Sequence, residues 1–113
     1  MVHYMRLFQK PFEMIKNGEK TIELRLNDEK RQRVLIGDEI VFAETGNLEN
    51  SIRTKVTGIY KFSSFKELYE KLPMNKCGYE ANQKPLASDM NKYYLEEEQI
   101  KYGVLGIEIK VLN

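Results

Sequence analysis

The chain has 113 residues, with 18 Lys and Arg against 17 Asp and Glu, and a formal net charge of +1. Proteins that grip a long phosphate backbone over their whole surface carry a clear basic excess, so this balance argues against such a surface and leaves room for a small basic cleft. A single cysteine, Cys77, and a single histidine, His3, exclude an internal disulfide and a zinc site of the Cys/His kind. The length fits one core and one domain over residues 1–113. No apolar run reaches the length of a membrane span and no signal-peptide pattern opens the chain. The expectation is a cytoplasmic protein, monomeric by default, without metal or cofactor.

In chain order, residues 4–8 read as a short strand, and Pro11 fits the first position of a helix over 11–17. Phe12 and Ile15 share its apolar face, and Gly18 supplies a left-handed stop. A strand over 20–26 comes next, with Ile22, Leu24 and Leu26 on one side and Thr21, Glu23 and Arg25 on the other. Residues 27–33 are densely charged, either a solvated surface or a rim that touches phosphates. Gly37 and Asp38 mark a turn into a strand over 39–44, and Gly46-Asn47 begins a loop. A long alternating strand over 52–62 places Ile52, Val56, Tyr60 and Phe62 on one face, with Gly58 marking a bulge or a bend.

Ser64 and Glu67 form a capping box for a helix carrying Phe65, Leu68 and Leu72, which ends before Pro73. Residues 74–85 are polar without a period and read as a loop. Ser88 or Asp89 starts a helical stretch with Met90, Tyr93 and Tyr94, and residues 95–102 continue or closely follow it up to Gly103. The last strand, 104–111, aligns Leu105, Ile107, Ile109 and Val111. Five or so strands with three or four short helices, in no βαβ order, describe an α+β domain whose mixed, mostly antiparallel sheet curls into a small barrel.

Chemistry concentrates in residues 18–25. Two residues apart on a strand, Glu23 and Arg25 leave the sheet on one face: facing water they are an exposed ion pair of little worth, and lining a cleft they set an acceptor beside a planar donor fork, suited to a base edge or a phosphate. Strict alternation places Lys20 with the apolar set, unless the strand begins after it. Tyr93 and Tyr94 are either boundary residues or rings that stack on a base. Glu96, Glu97 and Glu98 diverge by about 100° per residue on a helix and so form a solvated face rather than a metal site. Cys77 and His3 have no partner in sequence that would activate them and read as structural.

The spacing of Gly18, Lys20, Glu23 and Arg25 resembles the Gly-x-Lys-x-x-Glu-x-Arg signature of the ASCH domain family, within the PUA-like group. Residues 36–42 resemble that family's turn into its central strand, and residues 102–107 its closing strand. The resemblance implies a PUA-like barrel with a cleft between sheet and helices that binds RNA or a small nucleoside-like ligand. It puts Lys20, Glu23 and Arg25 in that cleft. One branch of the family is an amidohydrolase that deacylates acetylated cytidine with a Lys, a Thr and a Glu. Lys20 matches the lysine, Glu23 stands where the threonine does, and Glu67 and Glu70 are candidates for the third group. Two readings stay open: a binding module using Lys20, Glu23, Arg25, Tyr93 and Tyr94, or a hydrolase in which Lys20 activates water and Glu23 moves the proton.

Overall fold

The structure, a computed structural model, describes residues 1–112. Strand β1 spans Val2–Leu7 and leads into helix α1, Gln9–Lys16. The helix starts earlier than its proline implies. Pro11 lies inside the first turn, where its missing N–H has no intrahelical partner to lose, and the first helical bond runs from Phe12 N–H to Phe8 O. Gly18, at φ +85°, turns the chain out of α1. Strand β2 covers Ile22–Leu26 only, so Lys20 and Thr21 belong to the connection.

Strands β3, Glu39–Glu44, and β4, Asn47–Phe62, form a hairpin around Thr45-Gly46. Pairing therefore resumes at Asn47, five residues before the alternation becomes legible at Ile52. Helix α2 is Phe65–Lys71, helix α3 is Glu96–Tyr102, and strand β5 is Val104–Val111. Ser64 Oγ accepts from Glu67 N–H at 3.2 Å, which is the forward half of the expected capping box.

The sheet order is β1-β3-β4-β5-β2, with β1 and β3 parallel and every other pair antiparallel. The α+β class and the mixed, mostly antiparallel, barrel-like sheet are those expected from the sequence, with the curl reaching a half-barrel. In β4 a bulge leaves Thr57 unpaired between the Val56–Ile109 and Gly58–Glu108 pairs. The extra residue reverses the facing of the rest of the strand. Ile59, opposite Ile107, now packs into the curl, and Tyr60 is 39% exposed on the outer side. The alternation that grouped Tyr60 and Phe62 with Ile52 and Val56 is thus broken by the bulge the glycine announced.

Two apolar clusters result. Inside the curl, Met5, Leu7, Ile40, Phe42, Val56, Ile107 and Ile109 surround Phe12 and Ile15 of α1. On the outer face, Ile22, Leu24, Leu26 and Val104 are covered by Phe65 and Leu68 of α2 together with Met90. β1 and β2 are the two edges. Arg25 donates from Nη2 to Arg6 O at 2.9 Å, and Lys30 donates from Nζ to Tyr4 O at 2.7 Å. Side chains, not a strand ladder, close the seam between these edges. The start of β1 is anchored separately: buried His3 Nε2 lies 2.8 Å from Asp38 Oδ2, and Asp38 also accepts from Leu35 N–H.

Candidate functional site

Because Glu23 opposes Ile107 and Arg25 opposes Leu105 in the β2–β5 ladder, both charged side chains point into the curl at its open end. Lys20 joins them from outside the strand. Its N–H donates to Met14 O at 3.0 Å, and Gly78, at φ +106°, lets the 76–79 segment lie against its aliphatic stem. A Cβ at Gly78 would sit 3.3 Å from Lys20 Cδ. The result is a clamped carboxylate: Lys20 Nζ lies 2.7 Å from Glu23 Oε1, and Arg25 Nε lies 2.6 Å from Glu23 Oε2.

Glu23 is 4% exposed. Burial alone raises a carboxyl pKa, but the Lys20 and Arg25 charges and their hydrogen bonds outweigh it and hold Glu23 at about 2. Arg25 moves the other way: its burial is more than offset by Glu23, which raises its pKa above the ordinary guanidinium range. Two cations against one anion leave the cluster with a surplus positive charge.

Above this floor opens a cleft of ≈850 Å³ that is lined by all five residues singled out in the sequence, Lys20, Glu23, Arg25, Tyr93 and Tyr94. Tyr94 is half-buried and stacks on Phe65, with ring centroids 6.1 Å apart and planes at 19°. Tyr93 is 60% exposed at the rim, where Phe8 also projects. The two tyrosines therefore differ in kind: one is braced by the core and one is free.

The sequence reading missed the opposite wall. Tyr69 of α2 and Tyr79 of the 74–85 loop meet at 2.8 Å between their hydroxyls, and Tyr79 donates to Asp89 Oδ2 at 2.7 Å. The polarity of this chain is forced. An ionised carboxylate only accepts, so the Tyr79 proton goes to Asp89, and Tyr79 Oη must accept from Tyr69. Both phenols then offer acceptors, not donors, to whatever fills the cleft. Burial, reinforced by the hydrogen bond donated to Asp89, pushes the Tyr79 pKa far above the usual phenol range; burial is also the main cause of the rise at Tyr69. Nothing periodic marks Tyr79 or Asp89 in the sequence. The one local signal is Gly78, whose backbone conformation the Lys20 contact requires.

Cys77 also reaches the cleft, but burial pushes its thiol up to about 11 against the opposing pull of Lys20, as befits a structural cysteine. Glu67 and Glu70 are exposed on α2 and do not line the cleft. Glu96, Glu97 and Glu98 form the exposed first turn of α3, and among the described residues no three His, Cys, Asp or Glu side chains converge as metal ligands. No helix is long and apolar enough to cross a membrane among the described residues.

Comparison with known proteins gives a consistent answer. The ASCH domain family model matches residues 5–113. The crystal structure of hypothetical protein PH0355 is similar at 36% identity and TM-score 0.83, covering 99% of this chain and 100% of that one. The solution structure of protein PF0455 from Pyrococcus furiosus is 33% identical with TM-score 0.74, covering 100% of this chain and 99% of that one. The ASCH domain from Lactobacillus crispatus shares the fold at 12% identity and TM-score 0.62, over 96% of this chain and 79% of that one. No curated protein matches the chain in sequence.

Proposed function

The chain belongs to the ASCH domain family, and from that premise we propose that it binds one nucleotide unit, of RNA or of a free modified nucleoside, in the cleft above Lys20, Glu23 and Arg25. The observation that carries the reading is the division of labour within that cleft. Its floor has a cationic surplus, its Tyr69–Tyr79 wall presents acceptors, and its rim carries exposed aromatic rings. A nucleotide has the matching parts: an anionic group, a base edge with donors, and a flat face that stacks. Tyr93 supplies the stacking surface, and Tyr94, held on Phe65, fixes the depth of the pocket.

The hydrolase reading ranks second because Glu23 fits its role poorly. A carboxyl held at about 2 has no proton at neutral pH to give a leaving amine. The other candidate acids, Glu67 and Glu70, face solvent away from the cleft. A chromatographic assay with acetylated cytidine, run beside Lys20→Ala, addresses it: turnover lost in the variant would displace the binding-only account.

The direct test is calorimetric titration with the common ribonucleosides, their 5′-monophosphates and acylated analogues. Tyr93→Ala is the diagnostic variant, since its ring is exposed and the fold does not rest on it. Loss of one stacked base weakens binding by about 1–3 kcal/mol, which is about 5- to 150-fold, with no change in melting temperature. Equal affinity of Tyr93→Ala for a bound nucleotide would remove this ring from the site. Failure of every compound to bind at millimolar concentration would defeat the proposal.

A further inference from the structure

The charged stretch after β2 closes the seam through Lys30. It also borders a second groove, of ≈550 Å³, on the outer side of the β1–β2 seam. Arg6, Arg25, Lys30 and Arg31 all line this groove, together with Tyr4 and Leu48. No acidic side chain lines it among the described residues. Two of the four cations have a carboxylate partner: Arg25 Nε lies 2.6 Å from Glu23 Oε2, and Arg31 donates to Asp28 from Nη1 at 2.9 Å and from its N–H at 3.0 Å. Arg31 Nε is buried and has no hydrogen-bond partner. Four cations against these two carboxylates leave two surplus positive charges at the groove, a local field suited to anions whatever the overall charge.

The electrostatics of Lys30 report that field independently. Partial desolvation lowers its pKa first, and then the Arg31 and Arg25 charges lower it further. Asp28 pulls the other way, and the direction stays downward. Beside them Tyr4 is 66% exposed, a flat ring on the strand edge.

The groove also touches the nucleotide cleft. Arg6 and Arg25 line both, so the two depressions meet at the seam. Arg25 holds Glu23 with Nε on the cleft side and reaches the backbone of β1 with Nη2. A single nucleotide bound in the first depression would leave the second unused.

We propose that the cleft's nucleotide is part of a single-stranded RNA, whose adjoining phosphates run over the seam into the groove of Arg6, Lys30 and Arg31. Tyr4 lies where a neighbouring base can stack. This rests on the nucleotide reading of the cleft and sharpens it from a free nucleoside to a strand.

The test compares labelled single-stranded RNA hexanucleotides of mixed sequence with free ribonucleosides, by fluorescence anisotropy and competition, from low to physiological salt. The hexanucleotide binds at least tenfold tighter than any nucleoside, and with three phosphates neutralised its log–log salt slope is about −2. Lys30→Gln keeps a donor for Tyr4 O while removing the charge. It lowers the hexanucleotide's advantage about threefold or more and makes the salt slope shallower by about 0.7. Nucleosides that bind as tightly as the hexanucleotide would overturn the strand proposal and leave the cleft reading standing. So would a hexanucleotide whose affinity and salt slope ignore Lys30→Gln. Binding of neither probe would overturn both.

Discussion

Glu23 is the residue on which fold and site depend together. It sits between two cations in a nearly water-free position, and each of its oxygens has one charged partner. Glu23→Gln removes the only anion of that cluster and leaves Lys20 and Arg25 facing each other, a change of about 3–5 kcal/mol in stability. Urea denaturation at neutral pH measures it, and a difference below about 1 kcal/mol would show that water reaches the cluster freely. The pH dependence carries the same signature. Since the folded carboxyl lies at about 2 against an ordinary 4.5, its contribution is fully present above pH 4.5 and is lost as pH falls towards 2. Glu23→Gln should flatten the stability curve in that window. Of this cluster, the Glu23–Arg25 pair was legible from strand periodicity alone. Lys20 was not: its place depends on where β2 starts and on how closely the chain approaches at Gly78, both of which are tertiary facts.

At the scale of elements, the backbone is most constrained where helices hand over to strands. Gly103 ends α3 with φ +72° and ψ −174°, a conformation essentially restricted to glycine, and a Cβ there would lie 3.0 Å from Phe62 O. Gly103→Ala should therefore destabilise the domain by about 2–3 kcal/mol, since both the conformation and the contact oppose it. A thermal melt within one degree of the parent would show that β5 can shift to accommodate the methyl. The sequence showed this helix stop, the bulge at Gly58 and the apolar face of β5, because each depends on local chemistry. It did not show the first five residues of β4, whose side chains carry no alternation, nor the wall built by Tyr79 and Asp89. That wall forms where a loop without period packs against α2, and no local rule reports such packing.

For the whole molecule, the sheet remains an incomplete barrel whose edges are tied by the side chains that also line its two depressions. Closing the seam with Arg25 and Lys30 instead of a ladder leaves polar and charged groups at the junction, where a paired strand would have filled the gap with backbone. This explains how a chain with almost no net charge concentrates cations in one place. The mixed, mostly antiparallel sheet was within reach of sequence reading; its strand order, with β1 beside β3, needed the fold. The seam groove was visible there only as a charged run with two readings, and the convergence of Arg6 with Arg31 needed the fold.

The most direct measurement is a nitrogen-15 amide titration of the intact protein with 5′-monophosphates of the common ribonucleosides. Saturable shifts are expected in the segments that line the cleft, among them Lys20, Glu23, Arg25, Gly78, Tyr79, Tyr93 and Tyr94. Shifts that saturate on the outer surface of α3, or spectra unchanged by every nucleotide at millimolar concentration, would contradict the nucleotide reading of the cleft.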